Sequence, residues 1–240
     1  MFHTFFYEPL YNLLVVVLTY VPLHDIGTAI VVVTLIVKGL LLPLNLSSLR
    51  TQYMMKKVEG EMKKIKELQK KDPQEASKQM IALYKKEKIN PFSSLFAMIL
   101  QIPIFFALYF VFSKGMVNDP ESLYSFAVFP ETLHTLAFGI FDATEKNIVV
   151  AALAGISSYF LARRQTEGMV VPKDPKDESF QDQFMKSMKL QLLYVLPIII
   201  AVSGAFLPSA LALYWLVSNV VSYAQDVYMK NKLAHLKPAH

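Results

Sequence analysis

The sequence has 240 residues, of which 54% are hydrophobic and only 18% charged, a balance too apolar for an ordinary soluble domain and far from the low hydrophobicity of disorder. Its net charge of +5 suits nucleic acid or an anionic surface, and the placement of the charges decides for a membrane surface, with no nucleic-acid role expected. The lack of cysteine excludes disulfides, thiolate metal ligands, a cysteine nucleophile and a lipid-modified cysteine.

Residues 9–22 form an apolar stretch that falls short of the ~20 residues a helix needs to cross a bilayer core, so it is expected to lie at the interface. Residues 1–23 hold no Lys or Arg and no small-residue cleavage site follows; the segment is therefore expected to be retained rather than removed as a signal peptide. Residues 26–48 have the length of a full span, with Lys38 at the middle. A second span is predicted over 92–113, opening after Asn90-Pro91 and kinked at Pro103. Residues 148–162 with their flanks, 188–207 and 208–228 give three more. The last two meet at Phe206-Leu207-Pro208-Ser209, where proline disfavours a helical conformation for the residue before it and supplies a turn.

Residues 50–88 carry twelve basic residues against six acidic ones. Met54, Val58, Met62, Ile65 and Leu68 recur at helical spacing, and Asp72-Pro73-Gln74-Glu75 offers an N-cap, a proline start and a glutamate reaching back to the cap. The segment reads as a helical hairpin whose halves pack on each other outside the membrane. Loop 114–147 has two basic and five acidic residues, 163–189 has six basic ones, and Lys230, Lys232 and Lys237 follow Tyr228. Basic loops stay cytoplasmic, which places the N-terminus outside and the C-terminus inside, a parity that five spans satisfy. Asp119-Pro120-Glu121 and Phe129-Pro130-Glu131-Thr132 predict short surface helices in the exterior loop. The fold class is therefore an all-α integral membrane protein with five transmembrane helices. Its parts are an interfacial N-terminal helix at 1–24, a core at 25–229 containing the cytoplasmic hairpin 50–90, and a short basic cytoplasmic tail at 230–240.

Lys38 is the most informative residue, because a charge at the centre of an isolated span is unfavourable by roughly 2.5–3.5 kcal/mol on insertion scales. It calls for water, a partner or a reason. Snorkelling is difficult from mid-span, and no other span is expected to hold an interior Asp or Glu to pair with it. Gly27, Thr34, Lys38, Asn45 and Ser48 share one face of a helix over 26–48. Ser94 and Gln101 share a face of the second span, and Tyr214, Ser218, Ser222 and Gln225 share one on the last, with Trp215 at its edge. Any one of these positions is explained by helix-to-helix hydrogen bonding; three polar stripes together predict one hydrated groove around Lys38.

Enzymatic signatures are missing. His3, His24, His134, His235 and His240 form no HExxH, and there is neither a nucleophile elbow nor a GxxxxGK loop. No catalysis, metal or cofactor is expected.

Four runs carry a resemblance: Leu35-Ile36-Val37-Lys38-Gly39-Leu40-Leu41-Leu42-Pro43-Leu44, Met80-Ile81-Ala82-Leu83-Tyr84-Lys85-Lys86-Glu87-Lys88-Ile89-Asn90-Pro91, Gln101-Ile102-Pro103-Ile104-Phe105 and Leu207-Pro208-Ser209-Ala210-Leu211-Ala212-Leu213-Tyr214-Trp215. In order and spacing they resemble the YidC-type membrane protein insertases, over residues 8–229. The resemblance implies a five-span core, an interfacial N-terminal helix and a cytoplasmic hairpin. It also implies a hydrophilic groove, open to the cytoplasm and the lipid, that receives the short extracellular tail of an incoming membrane protein while its hydrophobic segment slides out along the spans. The groove residues implied here are Lys38, Thr34, Asn45, Gln101, Tyr214, Trp215 and Ser218. Implied partners are nascent membrane proteins, the bilayer, and the ribosome, targeting factors and secretion channel that deliver them; the implied location is a bacterial-type plasma membrane. The chain departs from the family in carrying Lys38 where arginine is usual, and it is expected to lack the large exterior domain and long basic tail of some members. A small transporter or channel using Lys38 in a polar path is the alternative, and a purely structural assembly factor is a third.

Overall fold

A computed structural model describes residues 1–21, 24–69, 71–90, 92–113, 119–167, 186–187 and 189–233, without the side chains of residues 66, 94, 95 and 98. The described elements are almost all helical: a π-helical turn His3–Tyr7, then α1 Glu8–Tyr20, α2 Ile26–Leu40, α3 Leu42–Lys57, α4 Glu59–Gln69, α5 Pro73–Lys86, α6 Phe92–Ser113, α7 Ile148–Thr166, a second π-helical turn Gln191–Val195 leading into α8 Leu196–Phe206, and α9 Ser209–Leu233. Two compact units result, one from residues 1–40 and 101–223, the other from 41–100 and 224–240.

In the first unit, α1 packs on α2, burying Tyr11, Leu14, Val15 and Leu18 almost completely. The exterior loop covers more of α1. Asn12 donates to the Ser122 carbonyl at 2.7 Å and accepts from the Tyr124 N–H at 2.7 Å, while the Tyr11 hydroxyl accepts from the Asp119 N–H at 2.9 Å.

Residues 119–147 do not form the two surface helices expected of them; they make turns and a two-residue hairpin, β1 Leu136–Ala137 and β2 Phe141–Asp142, paired antiparallel with Leu136 opposite Asp142. The reason lies in what the cap candidates bind. Asp119 accepts from the hydroxyls of Tyr7 and Ser122, and the backbone between is committed to α1 and α2 through Thr19 to the Val128 carbonyl and the Ile26 N–H to the His134 carbonyl. Tertiary partners thus replace the helix start.

Asp25 opens α2. Burial pushes its carboxyl up, but the Thr28 hydroxyl and N–H, with the N–H groups of Phe138 and Gly27, outweigh that and hold it below the usual carboxylate range. Gly27 lets α2 meet β1: a Cβ there would stand 2.6 Å from that of Ala137. Asp142 organises the far side of the hairpin. The Thr144 hydroxyl, then the Thr144 N–H and Thr135 hydroxyl, hold its carboxyl below the ordinary range against a weaker opposing effect of burial. Its carbonyl accepts from the Ser209 hydroxyl, and the Ala143 and Glu145 carbonyls accept from the N–H groups of Ala210 and Ser209, so the loop satisfies orphan donors at the start of α9.

α7 begins at Asn147, whose side chain accepts from the N–H groups of Val149 and Val150. α7 and α8 pack extensively on each other. They meet backbone to backbone, because a Cβ on Gly155 would lie 2.6 Å from the Ala201 Cβ and 3.1 Å from the Pro197 carbonyl, and one on Gly204 would lie 3.1 Å from the Ala151 Cβ. Such small-residue contacts typify helices packed in lipid. The outward side chains Ile156, Phe160, Ile198, Ile199 and Val202 are about half exposed, an apolar surface that water does not favour. α8 ends where expected: Leu207 is extended (φ −99°, ψ 163°) before Pro208.

In the second unit, α4 and α5 pair as the predicted hairpin, with Met54, Val58, Ile65, Ala76, Leu83 and Ile89 as its core. The Asp72 side chain caps α5, accepting from the N–H groups of Gln74 and Glu75. The expected return from Glu75 is not made; its carboxylate accepts from Gln79 at 3.1 Å instead. Lys88 closes α5 in the left-handed region (φ 53°), with the Ile89 N–H reaching the Tyr84 carbonyl at 2.8 Å.

The span predicted over 26–48 is not one helix. It breaks at Leu41, and α3 restarts with Pro43 in its first turn, where proline's missing donor is tolerated. Among the described residues no single helix is long and apolar enough to cross a membrane; α2 and α3 reach that length only as a bent pair. α6 runs over the predicted 92–113 with Pro103 inside it. Residue 188 and the tail beyond residue 233 lie outside the described residues.

Candidate functional site

Polar side chains of the first unit gather along one face of α9. Tyr214, Ser218 and Ser222 are spaced four residues apart and so project from the same side, over a length of roughly 12 Å. At one end of this strip the Tyr214 hydroxyl, 3% exposed, accepts from Gln101 Nε2 of α6 at 2.7 Å and is hydrogen-bonded to Ser218. At the other end Ser222 Oγ accepts from Lys38 Nζ of α2 at 2.9 Å.

Lys38 is 7% exposed. Its ammonium has three protons, and among the described residues its polar partner is that one hydroxyl. A buried cation without a counter-charge is unfavourable, and the Ser222 hydroxyl offsets part of that by hydrogen bonding. Thr34, one turn earlier on α2 and 1% exposed, donates to the Ile30 carbonyl at 2.6 Å, which satisfies its hydroxyl within the helix.

Of the sequence-predicted residues, the structure thus joins Lys38, Gln101, Tyr214 and Ser218 through α9, with Thr34 on the Lys38 face. Trp215 lies beside the strip, its ring stacked on Phe105 (centroids 5.2 Å apart, planes 10° apart), a packing contact of two large apolar rings. Asn45 lies on α3, beyond the break at Leu41, whereas the wheel that grouped it with Lys38 assumed an unbroken helix. The Ser94 side chain lies outside the described residues.

Two polar residues were missed. Asn219 donates to Ser158 Oγ at 2.7 Å and Ser157 Oγ at 3.0 Å, tying α9 to α7; the Ser157-Ser158 pair in an apolar stretch was its signal. The second is a buried carboxylate. Asp226 lies within 208–228, is 2% exposed, and accepts from the Tyr53 hydroxyl at 3.0 Å in the second unit. Among the described residues no cluster of metal-ligating side chains occurs.

The described residues thus form a mainly helical, apolar protein with a buried lysine on a polar strip. The sequence profile of the 60Kd inner membrane protein family matches residues 18–236, and the chain belongs to that family. It is similar to the membrane protein insertase YidC of Clostridium tetani, 31% identical over 209 residues that make up 87% of this chain and 83% of that protein. It is also similar to the proteins of the same name from Burkholderia multivorans, 32% identical over 96% of this chain, and Hahella chejuensis, 33% identical over 94%. The chain spans 36% and 35% of those two longer proteins.

Proposed function

We propose that the chain is a membrane protein insertase and membrane chaperone, which guides hydrophobic segments of new membrane proteins from a hydrophilic groove into the bilayer of a bacterial-type plasma membrane. The observation that carries the reading is Lys38, buried on a polar strip with one hydroxyl for a partner, in a chain of this family. Its ammonium attracts the acidic tail of the incoming protein, and Gln101, Tyr214 and Ser218 give the tail polar surface in place of lipid.

No covalent chemistry is required. A segment of ~20 Leu/Ile/Val/Phe residues gains about 6–12 kcal/mol on entering the bilayer, and the groove has only to lower the cost of passing the polar tail.

In this reading the five spans are residues 26–48 broken at Leu41, then 92–113, 148–162 with flanks, 188–207 and 208–228. α1 lies at the outer surface under the exterior loop, the N-terminus is outside, and the hairpin 50–90 and the tail 230–240 are cytoplasmic. The hairpin's lysines face the delivery partners: ribosome, targeting factors or the secretion channel. A transporter reading has no observation in its favour.

Purified protein in sealed vesicles, offered a newly made single-span substrate, is expected to render that span resistant to alkaline extraction and its tail resistant to external protease. Equal integration into protein-free vesicles overturns the function. A single cysteine replacing Lys78 in this cysteine-free chain is expected to resist an impermeant thiol reagent outside intact cells; its labelling there overturns the topology.

A further inference from the structure

An open apolar furrow of 370 Å³ runs between α7 and α8, apart from the Lys38 strip. Its volume is within the ~300–1,000 Å³ of small-ligand sites. The floor is made of the small residues Gly155, Pro197 and Ala201, and the walls of Ile156, Tyr159 and Tyr194. The same lack of side chains that lets the helices touch leaves an open channel above the contact line, with an apolar lining that suits a hydrocarbon chain.

Two basic residues, Arg163 and Lys189, flank the lining residues in sequence at one end of the furrow. The close approaches of Gly155 to Pro197 and Ala201, and of Gly204 to Ala151, set an antiparallel register; the Tyr159 and Tyr194 rings, 6.4 Å apart, continue it. Extended by one further turn, that register would set Arg163 level with Lys189. Arg163 is one turn beyond Tyr159 on the wall face of α7 and is exposed, and Lys189 is one turn before Leu193, another lining residue. No acidic side chain lies among the lining residues.

We infer that this furrow binds an anionic phospholipid, one acyl chain along the Gly155–Ala201 floor and the phosphate between Arg163 and Lys189. The assignment rests on α7 and α8 lying in the bilayer, as the proposed function requires. A basic site between membrane helices is the arrangement that recognises anionic headgroups, and each Lys or Arg near such a headgroup contributes about five-fold in binding, the equivalent of ~1 kcal/mol. The expected preference for anionic over zwitterionic lipid is therefore roughly ten-fold or more.

The full-length protein would be reconstituted in vesicles of equal parts phosphatidylcholine and phosphatidylglycerol, with a photoreactive acyl chain on one lipid or the other, and the labelled peptides mapped. The expected result is that the phosphatidylglycerol probe labels the furrow peptides of α7 and α8 several-fold more than the phosphatidylcholine probe. Arg163→Gln with Lys189→Gln should equalise the two probes at those peptides. Ala152→Phe, at an exposed lining position, should lower labelling by both. Equal labelling by the two probes in the unaltered protein, or a preference that survives the double substitution, overturns the lipid site while leaving the helices in the bilayer. Labelling by neither probe overturns it together with the placement of these helices in the membrane.

Discussion

If Lys38 is a recruiting charge, its removal should discriminate between substrates. At an effective dielectric constant of ~20 and a separation of ~6 Å, a lysine and a carboxylate attract by about 3 kcal/mol, and in bulk water at the same distance by about 0.7 kcal/mol. A groove lined on one side by Tyr214 and Ser218, both nearly buried, lies between those limits. Lys38→Ala is therefore expected to lower insertion of a substrate with an acidic tail by between about 3-fold and 100-fold relative to the same substrate with a neutral tail. Lys38→Arg should preserve the preference, and Lys38→Glu should reverse it. Ser222→Ala is the control: it removes the 2.9 Å partner and leaves the charge, so the preference should survive. A helix-joining role for Lys38 makes a different claim. Losing one hydrogen bond from a charged group costs roughly 1.5–3 kcal/mol of stability, so Lys38→Ala and Ser222→Ala would both reduce folded protein, with no dependence on the tail. Paired substrates assayed in reconstituted vesicles, normalised to folded protein, separate the two. Equal losses for acidic and neutral tails refute recruitment.

Three further substitutions test the fold that positions the strip. Gly155→Ala gains about 1 kcal/mol of helix propensity but puts its Cβ 2.6 Å from that of Ala201, an overpacking cost of ~1–3 kcal/mol; thermal unfolding in detergent should show a net loss that Ala201→Gly partly restores, and a gain in the single variant would contradict the close approach. Lys88→Gly relieves a side chain held at φ 53°, a strain of about 1 kcal/mol, and should slow hydrogen exchange at the Ile89 amide about five-fold; unchanged exchange would argue against the left-handed cap. Because the folded Asp142 carboxyl is held below its unfolded value by Thr144 and Thr135, its contribution to stability is complete above pH ~4 and lost as pH falls through the folded value. Asp142→Asn should then destabilise at neutral pH, with the gap to the unaltered protein closing below pH ~4, and a gap constant with pH would show that the charge is not involved.

How far the sequence could be read depended on whether each signal was local. Pro208 acts on its immediate neighbour, so the end of α8 at Phe206 was legible, and so were the Asp72 cap and the Met54–Leu83 stripes of the hairpin. The break at Leu41 was less so: the apolar residues that surround it conceal it, and only Pro43, two residues on, marks a restart. The wheel that grouped Asn45 with Lys38 assumed a helix without that break. The exterior loop misled because Asp119 and Glu131 follow the pattern of helix starts, whereas the groups that hold the loop, Asn12, Thr19 and Asp25, lie a hundred residues away. Asp226 was passed over because it sits near the polar end of its helix, where a carboxylate ordinarily meets water; the Tyr53 hydroxyl that receives it comes from a distant helix.

The two ends of the strip on α9 differ in a way that bears on direction. The Gln101–Tyr214 end is hydrogen-bonded between neutral groups and extended by Ser218, so little is gained there by a new ligand. The Lys38–Ser222 end holds a cation with protons to spare, where an arriving carboxylate gains both charge and hydrogen bonds. On the proposed function, an acidic tail would be held at Lys38 and pass over Ser218 and Tyr214 only as the attached apolar segment, leaving water for lipid, supplied the larger free energy. A tail of several acidic residues should be held longest, so that lengthening the acidic tract first speeds capture and then slows release. Insertion rate measured against tail charge should accordingly pass through a maximum in the native protein and lose it in Lys38→Ala; a monotonic rise in both would mean that the lysine neither captures nor retains the tail.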